Sequence, residues 1–320
     1  VTPDRPPLLV LSQAEVRSLL DLDGLIDALA GAFVELSEGR ASVPPRVMAV
    51  VPDRGMLAAM PGFASGVLET KLVSVFPGNQ DGELPSHQAV VLVFDPETGS
   101  PLALLDGTHI TAVRTGAASA LATRALARAD AGVLAVLGAG VQGRSHLEAV
   151  SRVRSFDEIR VASRTPAHAE ALATEFGAKA VGSFEEAVRG ADVVCACTDA
   201  AAPILRLEWL APGAHVTSVG ASRHGPELDP AIVRTGLLVV ESRVAFSPYP
   251  AGAHELQGLD PDVAVELGEI LSGRHPGRTA DDQITVYKSM GHAVEDAAAA
   301  GLVYRRARAD GVGTELDLGH

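Results

Sequence analysis

Residues 133–143 read VLAVLGAGVQG: a short apolar run passes without interruption into G-x-G-x-x-G, and few sequences constrain a fold more tightly. The run predicts a buried strand, the residues after Gly143 predict a helix, and the glycines fill the turn between them. In such a turn Gly138 permits the tight reversal, Gly140 lets the backbone approach a pyrophosphate, and Gly143 lets helix and strand pack closely. Backbone amides at the helix N-terminus, at Val141 and Gln142, supply donors to the anion. The segment therefore predicts a dinucleotide-binding βαβ unit. The plainer reading is a glycine-rich turn without a ligand.

The surroundings fit the first reading. Apolar runs at 133–137, 159–163, 178–181, 192–197, 215–219 and 237–241 alternate with amphipathic segments, as in a parallel sheet covered by helices on both faces. One such helix is expected at Pro166–Phe176, with proline in its first turn, and another at 183–189, where Ser183 and Glu186 match a capping box. The prediction is an α/β fold, a Rossmann-type doubly wound sheet of six strands. The first 120 residues or so predict a second, α+β domain. Ser12 and Glu15 open a helix, and Leu25, Ile26, Leu29, Phe33 and Leu36 continue a helical apolar face. Strands follow Pro44-Pro45, and 88–94 pairs with 102–105 around the turn Asp95-Pro96-Glu97-Thr98-Gly99. Residues 285–309 read as helical, with small residues at 297–300 allowing close packing.

Charge and composition exclude other classes. Forty acidic against 26 basic residues give a net charge of −14, which offers no general attraction to nucleic acid or to an anionic membrane surface, and no local basic patch compensates. A 47% apolar content with 21% charged residues excludes a disordered chain. Cys195 and Cys197 lie two apart in one apolar run, where a structural disulfide is not expected. The histidines at 146, 168, 215, 224, 254, 275 and 292 form no metal-ligand spacing, so no metal is expected. Neither a G-x-S-x-G elbow nor a Walker loop is present. Without a long apolar span or a signal-like start, the expectation is a cytoplasmic protein.

The end of the second strand selects the nucleotide. A free ribose 2′-hydroxyl would meet an Asp or Glu there, but the chain reads Val161-Ala162-Ser163-Arg164-Thr165. Arg164 can pair with a 2′-phosphate in a forked geometry, and Ser163 and Thr165 add hydroxyls. NADPH is expected, with NADH less preferred. Arg164 as a solvated loop residue stays open.

Several further stretches together resemble the ornithine cyclodeaminase and mu-crystallin family over nearly the whole chain. They are Pro44-Pro45-Arg46, Thr70-Lys71-Leu72-Val73, Pro85-Ser86-His87-Gln88-Ala89, Thr111-Ala112-Val113-Arg114-Thr115, Val219-Gly220-Ala221-Ser222-Arg223 and Val286-Tyr287-Lys288-Ser289-Met290-Gly291, beside the glycine loop and Ser163-Arg164-Thr165. The resemblance implies a substrate-binding and dimerisation domain from both chain ends, 1–121 and the C-terminal helices of 285–320. It also implies a Rossmann domain at 122–284 and a homodimer joined through the substrate domains' sheets. Cyclodeaminases of this family carry an aspartate where this chain has Ser222. Gly220-Ala221-Ser222-Arg223 is instead similar to the ketimine reductase branch, which reduces cyclic imines bearing a carboxylate.

Such a substrate needs its carboxylate held and its imine carbon turned to the nicotinamide. Arg46 can bind the carboxylate through two hydrogen bonds, and Lys71 adds a second charge from a strand that points it to the side of Val73. The residues alone leave both open as ordinary surface cations; the resemblance assigns both to the substrate carboxylate. Arg114 is placed by the resemblance beside the cofactor phosphates and the reacting centre, against the alternative of a domain-junction ion pair. For a proton path His87 and Lys71 are candidates, although a histidine at a strand start also serves structure. Thr198 and Ser222 follow strands, and Val219 ends one, at the carboxyl edge of the sheet, where open α/β sheets bind ligands. Thr198 and Ser222 serve equally well as small loop residues.

The leading expectation is NADPH-dependent reduction of pyrroline-2-carboxylate or piperideine-2-carboxylate to L-proline or L-pipecolate. An amino acid dehydrogenase of the alanine dehydrogenase kind, an ornithine cyclodeaminase, or a non-enzymatic NADPH-dependent binding protein of mu-crystallin type are the alternatives.

Overall fold

A computed structural model describes residues 7–81, 84–220 and 225–318. The chain divides into two compact units, one of Val1–Arg114 with His292–His320 and one of Thr115–Gly291.

The first unit opens with β1 (Leu8–Leu11), α1 (Gln13–Leu19) and α2 (Leu22–Ser37). Ser12 caps α1 as expected: its Oγ accepts from the Glu15 amide, and the Glu15 carboxylate accepts from the Ser12 amide at 2.7 Å. The apolar face expected as one helix is split in two. Leu20 turns to extended backbone, and Asp21 starts α2 by accepting from Gly24 N at 2.9 Å. Strands β2 (Val47–Val51), β3 (Gly55–Ala64), β4 (Val67–Val75), β5 (His87–Phe94) and β6 (Pro101–Asp106) follow. The hairpin of β5 and β6 pairs Val91 with Leu105 around the expected turn. Helix α3 (Gly107–Leu126) follows β6 directly and runs unbroken past Arg114.

The second unit is the doubly wound domain. Strand β7 (Val133–Leu137) leads through the glycine turn into α4 (Val141–Val153), then β8 (Glu158–Ala162), α5 (Pro166–Phe176), β9 (Lys179–Ala180), α6 (Phe184–Val188) and β10 (Val193–Ala196). Helix α5 has the expected bounds. At α6, Ser183 Oγ accepts from the Glu186 amide, but the Glu186 carboxylate accepts from Gly182 N at 3.0 Å. After β10 come β11 (His215–Ser218), α7 (Pro230–Thr235), β12 (Leu237–Val240), β13 (Val265–Glu266), α8 (Leu267–Leu271) and β14 (Thr285–Lys288). The parallel order is β13-β12-β14-β11-β10-β7-β8-β9, eight strands where six were expected. Both added strands are short. The expectation of helix from 285 is corrected: Thr285–Lys288 lies between β11 and β12 and is buried on both faces, so it shows no alternation that would mark a strand. Cys195 and Cys197 are free and buried.

The chain then returns to the first unit as α9 (Ala293–Asp310) and β15 (Thr314–Leu316). The seven-stranded sheet has the order β15-β1-β6-β5-β4-β3-β2, antiparallel except where β1 meets β6. Helix α9 lies against β3 and β4, with α2 packed on it. The domain divisions expected at 121/122 and 284/285 fall instead after Arg114, within α3, and after Gly291, because β14 belongs to the Rossmann sheet. Among the described residues, no helix is long and apolar enough to cross a membrane.

Candidate active site

The glycine turn has the shape that a pyrophosphate requires. Gly138 has φ +105°, and a Cβ there would lie 2.6 Å from the carbonyl oxygen of Cys197 and 3.0 Å from Thr198 Cγ2. A Cβ on Gly143 would collide with the carbonyl oxygen of Gly138, so helix and strand pack as closely as backbone allows. At Gly140 a Cβ would meet nothing within 4 Å: this is the open side of the turn. Gly140 caps α4 without a side chain, and it and Val141 are exposed, which leaves first-turn amides facing outward. The residues present fit the diphosphate of a dinucleotide.

Beyond the end of β8, Ser163 is half-buried and its Oγ accepts from Thr165 N at 3.4 Å. Arg164 and Thr165 are exposed, and among the described residues Arg164 has no ion pair. No acid stands at these three positions to repel a phosphate.

The carboxyl ends of β10 and β11 are joined by Glu227, a residue that the motifs did not single out. Its Oε1 accepts from Thr198 N at 2.6 Å and from Thr198 Oγ1 at 2.7 Å. Its Oε2 accepts from Ser218 Oγ at 2.7 Å and from Gly220 N at 2.8 Å. The fully buried Lys288 of β14 donates to Ser218 Oγ at 3.0 Å and to the Gly220 carbonyl at 2.6 Å. Glu255 lies 3.5 Å from that ammonium and accepts from Glu227 N at 2.7 Å. Val219 is half-buried between these groups, donating to the Ala196 carbonyl at 3.1 Å. Ser222 lies outside the described residues.

In the first unit Lys71 is only 1% exposed, so it is no surface cation. It shares a face of β4 with Glu69 and Val73, as the strand parity required. Its Nζ lies 2.9 Å and 2.8 Å from the two oxygens of Asp296, which α9 supplies. Arg114 donates through Nε to Asp296 at 3.1 Å and through Nη1 to Glu295 at 2.9 Å. Glu69 is 1% exposed, and neither of its carboxyl oxygens accepts a hydrogen bond.

Electrostatics follow from this burial. Desolvation, helped by the Arg114 charge and opposed by Asp296, lowers the Lys71 ammonium to about 8. Burial, then the Asp296 charge, raises Glu69 well above the usual carboxylate range, while the Lys71 and Arg114 charges oppose the shift. Burial pushes Asp296 up as well, but the charges and hydrogen bonds of Lys71 and Arg114 outweigh it and hold Asp296 below its ordinary value. Two cations and three carboxyl groups share the cluster.

Two expected residues sit differently. Arg46 is half-buried just before β2, and continuing the register of Val47 with Ala59 by one step sets Arg46 opposite Met60, the cross-strand partner of Lys71. Arg46 and Lys71 thus occupy one row, two strands apart, about 10 Å between backbones. His87 is exposed at the start of β5 with Ser86 Oγ 3.1 Å from its Nδ1. It pairs with Val75, four residues along β4 from Lys71, or about 13 Å. The structure does not bring His87 to the cluster. Glu69, Glu295 and Asp296 were missed, although Glu69-Thr70-Lys71 places acid and amine on one strand face.

The chain resembles known proteins over nearly its whole length. The chain is 44% identical over 304 residues to the ketimine reductase mu-crystallin of Mus musculus, covering 92% of this chain and 96% of that one. The Δ1-pyrroline-2-carboxylate reductase of Thermococcus litoralis, solved in complex with NADH and L-proline, superposes with a TM-score of 0.90 at 36% identity, over 97% of this chain and 100% of that chain. An archaeal alanine dehydrogenase dimer with bound NAD superposes with a TM-score of 0.88 at 32% identity, over 97% of this chain and 99% of the other. A family model matches from residue 8 to residue 311, through both units, and by that match the chain belongs to the ornithine cyclodeaminase/mu-crystallin family.

Proposed function

We infer that this protein reduces cyclic 2-imino carboxylates, pyrroline-2-carboxylate or piperideine-2-carboxylate, to L-proline or L-pipecolate, with NADPH preferred over NADH. The observation that carries this is the 44% identity to a ketimine reductase over 92% of the chain. The buried Lys71 cluster and the open glycine turn supply matching chemistry. The second unit binds the dinucleotide, which supplies the hydride when bound. The first unit holds the substrate: Arg46 and Lys71 take its carboxylate, and the Lys71 ammonium gives a proton to the imine nitrogen. Asp296 orients Lys71, and Arg114 keeps Asp296 and Glu295 in place. A panel of cyclic imines should consume reduced nicotinamide with the purified protein; no turnover on any of them would refute the assignment.

Arg164 supports NADPH as the partner. Arg164→Ala should raise the KM for NADPH about tenfold, the worth of a charged hydrogen bond at an exposed site, and leave that for NADH unchanged. An equal change for both cofactors would return Arg164 to the role of a solvated loop residue.

A homodimer is part of the same proposal. On the sheet face opposite α9, Val47, Leu57 and Val90 are 66%, 47% and 39% exposed, an apolar strip suited to burial against a second copy of the sheet. Leu57→Asp with Val90→Asp should halve the mass measured by sedimentation. An unchanged mass would place the contact elsewhere.

The likeness to an alanine dehydrogenase favours a second reading, reductive amination of an open-chain 2-oxo acid. Dependence of turnover on ammonia distinguishes it. Cyclodeamination is disfavoured by Ser222, where the resemblance expects an aspartate.

A further inference from the structure

Strand order says which end of a dinucleotide each edge would serve. The pyrophosphate turn follows β7; β8 and β9 lie on one side of it, and β10 and β11 on the other. A dinucleotide at such a reversal puts its adenosine beyond β8 and its nicotinamide beyond β10 and β11. Those are the two strand ends that Glu227 joins.

The junction is complete. An ionised carboxylate has about four lone-pair positions, and Thr198 N, Thr198 Oγ1, Ser218 Oγ and Gly220 N fill them. A Cβ on Gly220 would come within 2.6 Å of Glu227 Cδ, so the close approach depends on glycine. Glu255 accepts from the amides of both Glu227 and Leu228, at 2.7 Å and 3.2 Å, which fixes the backbone that carries the clamp. Lys288 holds the far side of Ser218 and Gly220.

We propose that Glu227 is a positioning residue for the nicotinamide end of the cofactor, its carboxylate holding Thr198 and Gly220 at a fixed separation beneath the ring. This rests on the reading that a dinucleotide lies along the carboxyl edge of the sheet. In Glu227→Gln an NH2 group replaces one oxygen and faces two donors, so one strand end is released whichever way the amide turns.

Titration of NADH by its fluorescence, with competition by ADP-ribose, which lacks the nicotinamide, separates the two ends. Glu227→Gln should weaken NADH about tenfold and ADP-ribose less than about twofold, as expected for lost hydrogen bonds to a charged group at one end only. Ser218→Ala removes a single donor and should show the same selectivity at smaller amplitude, which decides the matter if Glu227→Gln does not fold. Equal losses for both ligands, tracking the melting temperature, or no loss for either, would overturn the clamp alone. Failure of the unaltered protein to bind either NADH or NADPH would overturn the clamp and the dinucleotide reading together.

Discussion

Lys71→Met is expected to lower kcat/KM by about 10²–10⁴, the usual worth of a positioned proton donor, and to destabilise the fold by about 3–5 kcal/mol, because Asp296 then stays buried without one of its two cations. Denaturant unfolding and steady-state kinetics measure the two losses separately. Lys71→Arg should restore part of the stability and little of the activity, since a guanidinium remains protonated at any working pH. On the role proposed for Lys71, the ammonium of the unaltered protein is the active form. With its pKa lowered to about 8 by burial, turnover should decline as pH rises through 8, where an ordinary lysine would remain charged. A flat profile up to pH 10 would remove Lys71 from the chemistry.

The second large effect is expected at the glycine turn, where two substitutions of the same size should both weaken dinucleotide binding but only one should cost stability. Gly143→Ala drives a methyl group into the Gly138 carbonyl, a backbone atom that cannot step aside, so the turn must open. Overpacking of this kind costs about 1–3 kcal/mol or more, and dinucleotide binding should disappear with it. Gly140→Ala meets open space on an extended backbone that any residue adopts. Its melting temperature should stay unchanged while its affinity for dinucleotide falls, because the methyl group stands where the pyrophosphate approaches. Calorimetry of both variants with NADH checks the contrast; a Gly140→Ala protein that binds normally would place the diphosphate elsewhere.

Local signals were legible wherever one segment carried the whole pattern. The apolar run and glycines at 133–143, the proline that opens α5, and the turn between β5 and β6 each fold according to short-range rules. Strand parity also placed Lys71 with Val73. What escaped the sequence are pairings between distant positions. Lys71 meets Asp296 across 225 residues, and Glu227 reaches back 29 residues to Thr198. No periodicity links such partners; they meet only when α9 packs on the first sheet and when the segment after β11 folds back over the strand ends. β14 escaped for another reason, since a buried four-residue strand offers no alternation to read. At Ser183 the capping pattern was present, but its carboxylate turned to Gly182 one residue earlier.

The carboxylates that neutralise Lys71 and Arg114 both arrive on α9, which the ribosome makes only after the entire Rossmann sheet. During synthesis Lys71 and Arg114 therefore wait for the two acids of α9, and the face of the first sheet that α9 covers is closed only when translation has passed Asp296. A prematurely terminated product can therefore own the whole parallel sheet and still lack the acids that fix Lys71 and Arg114.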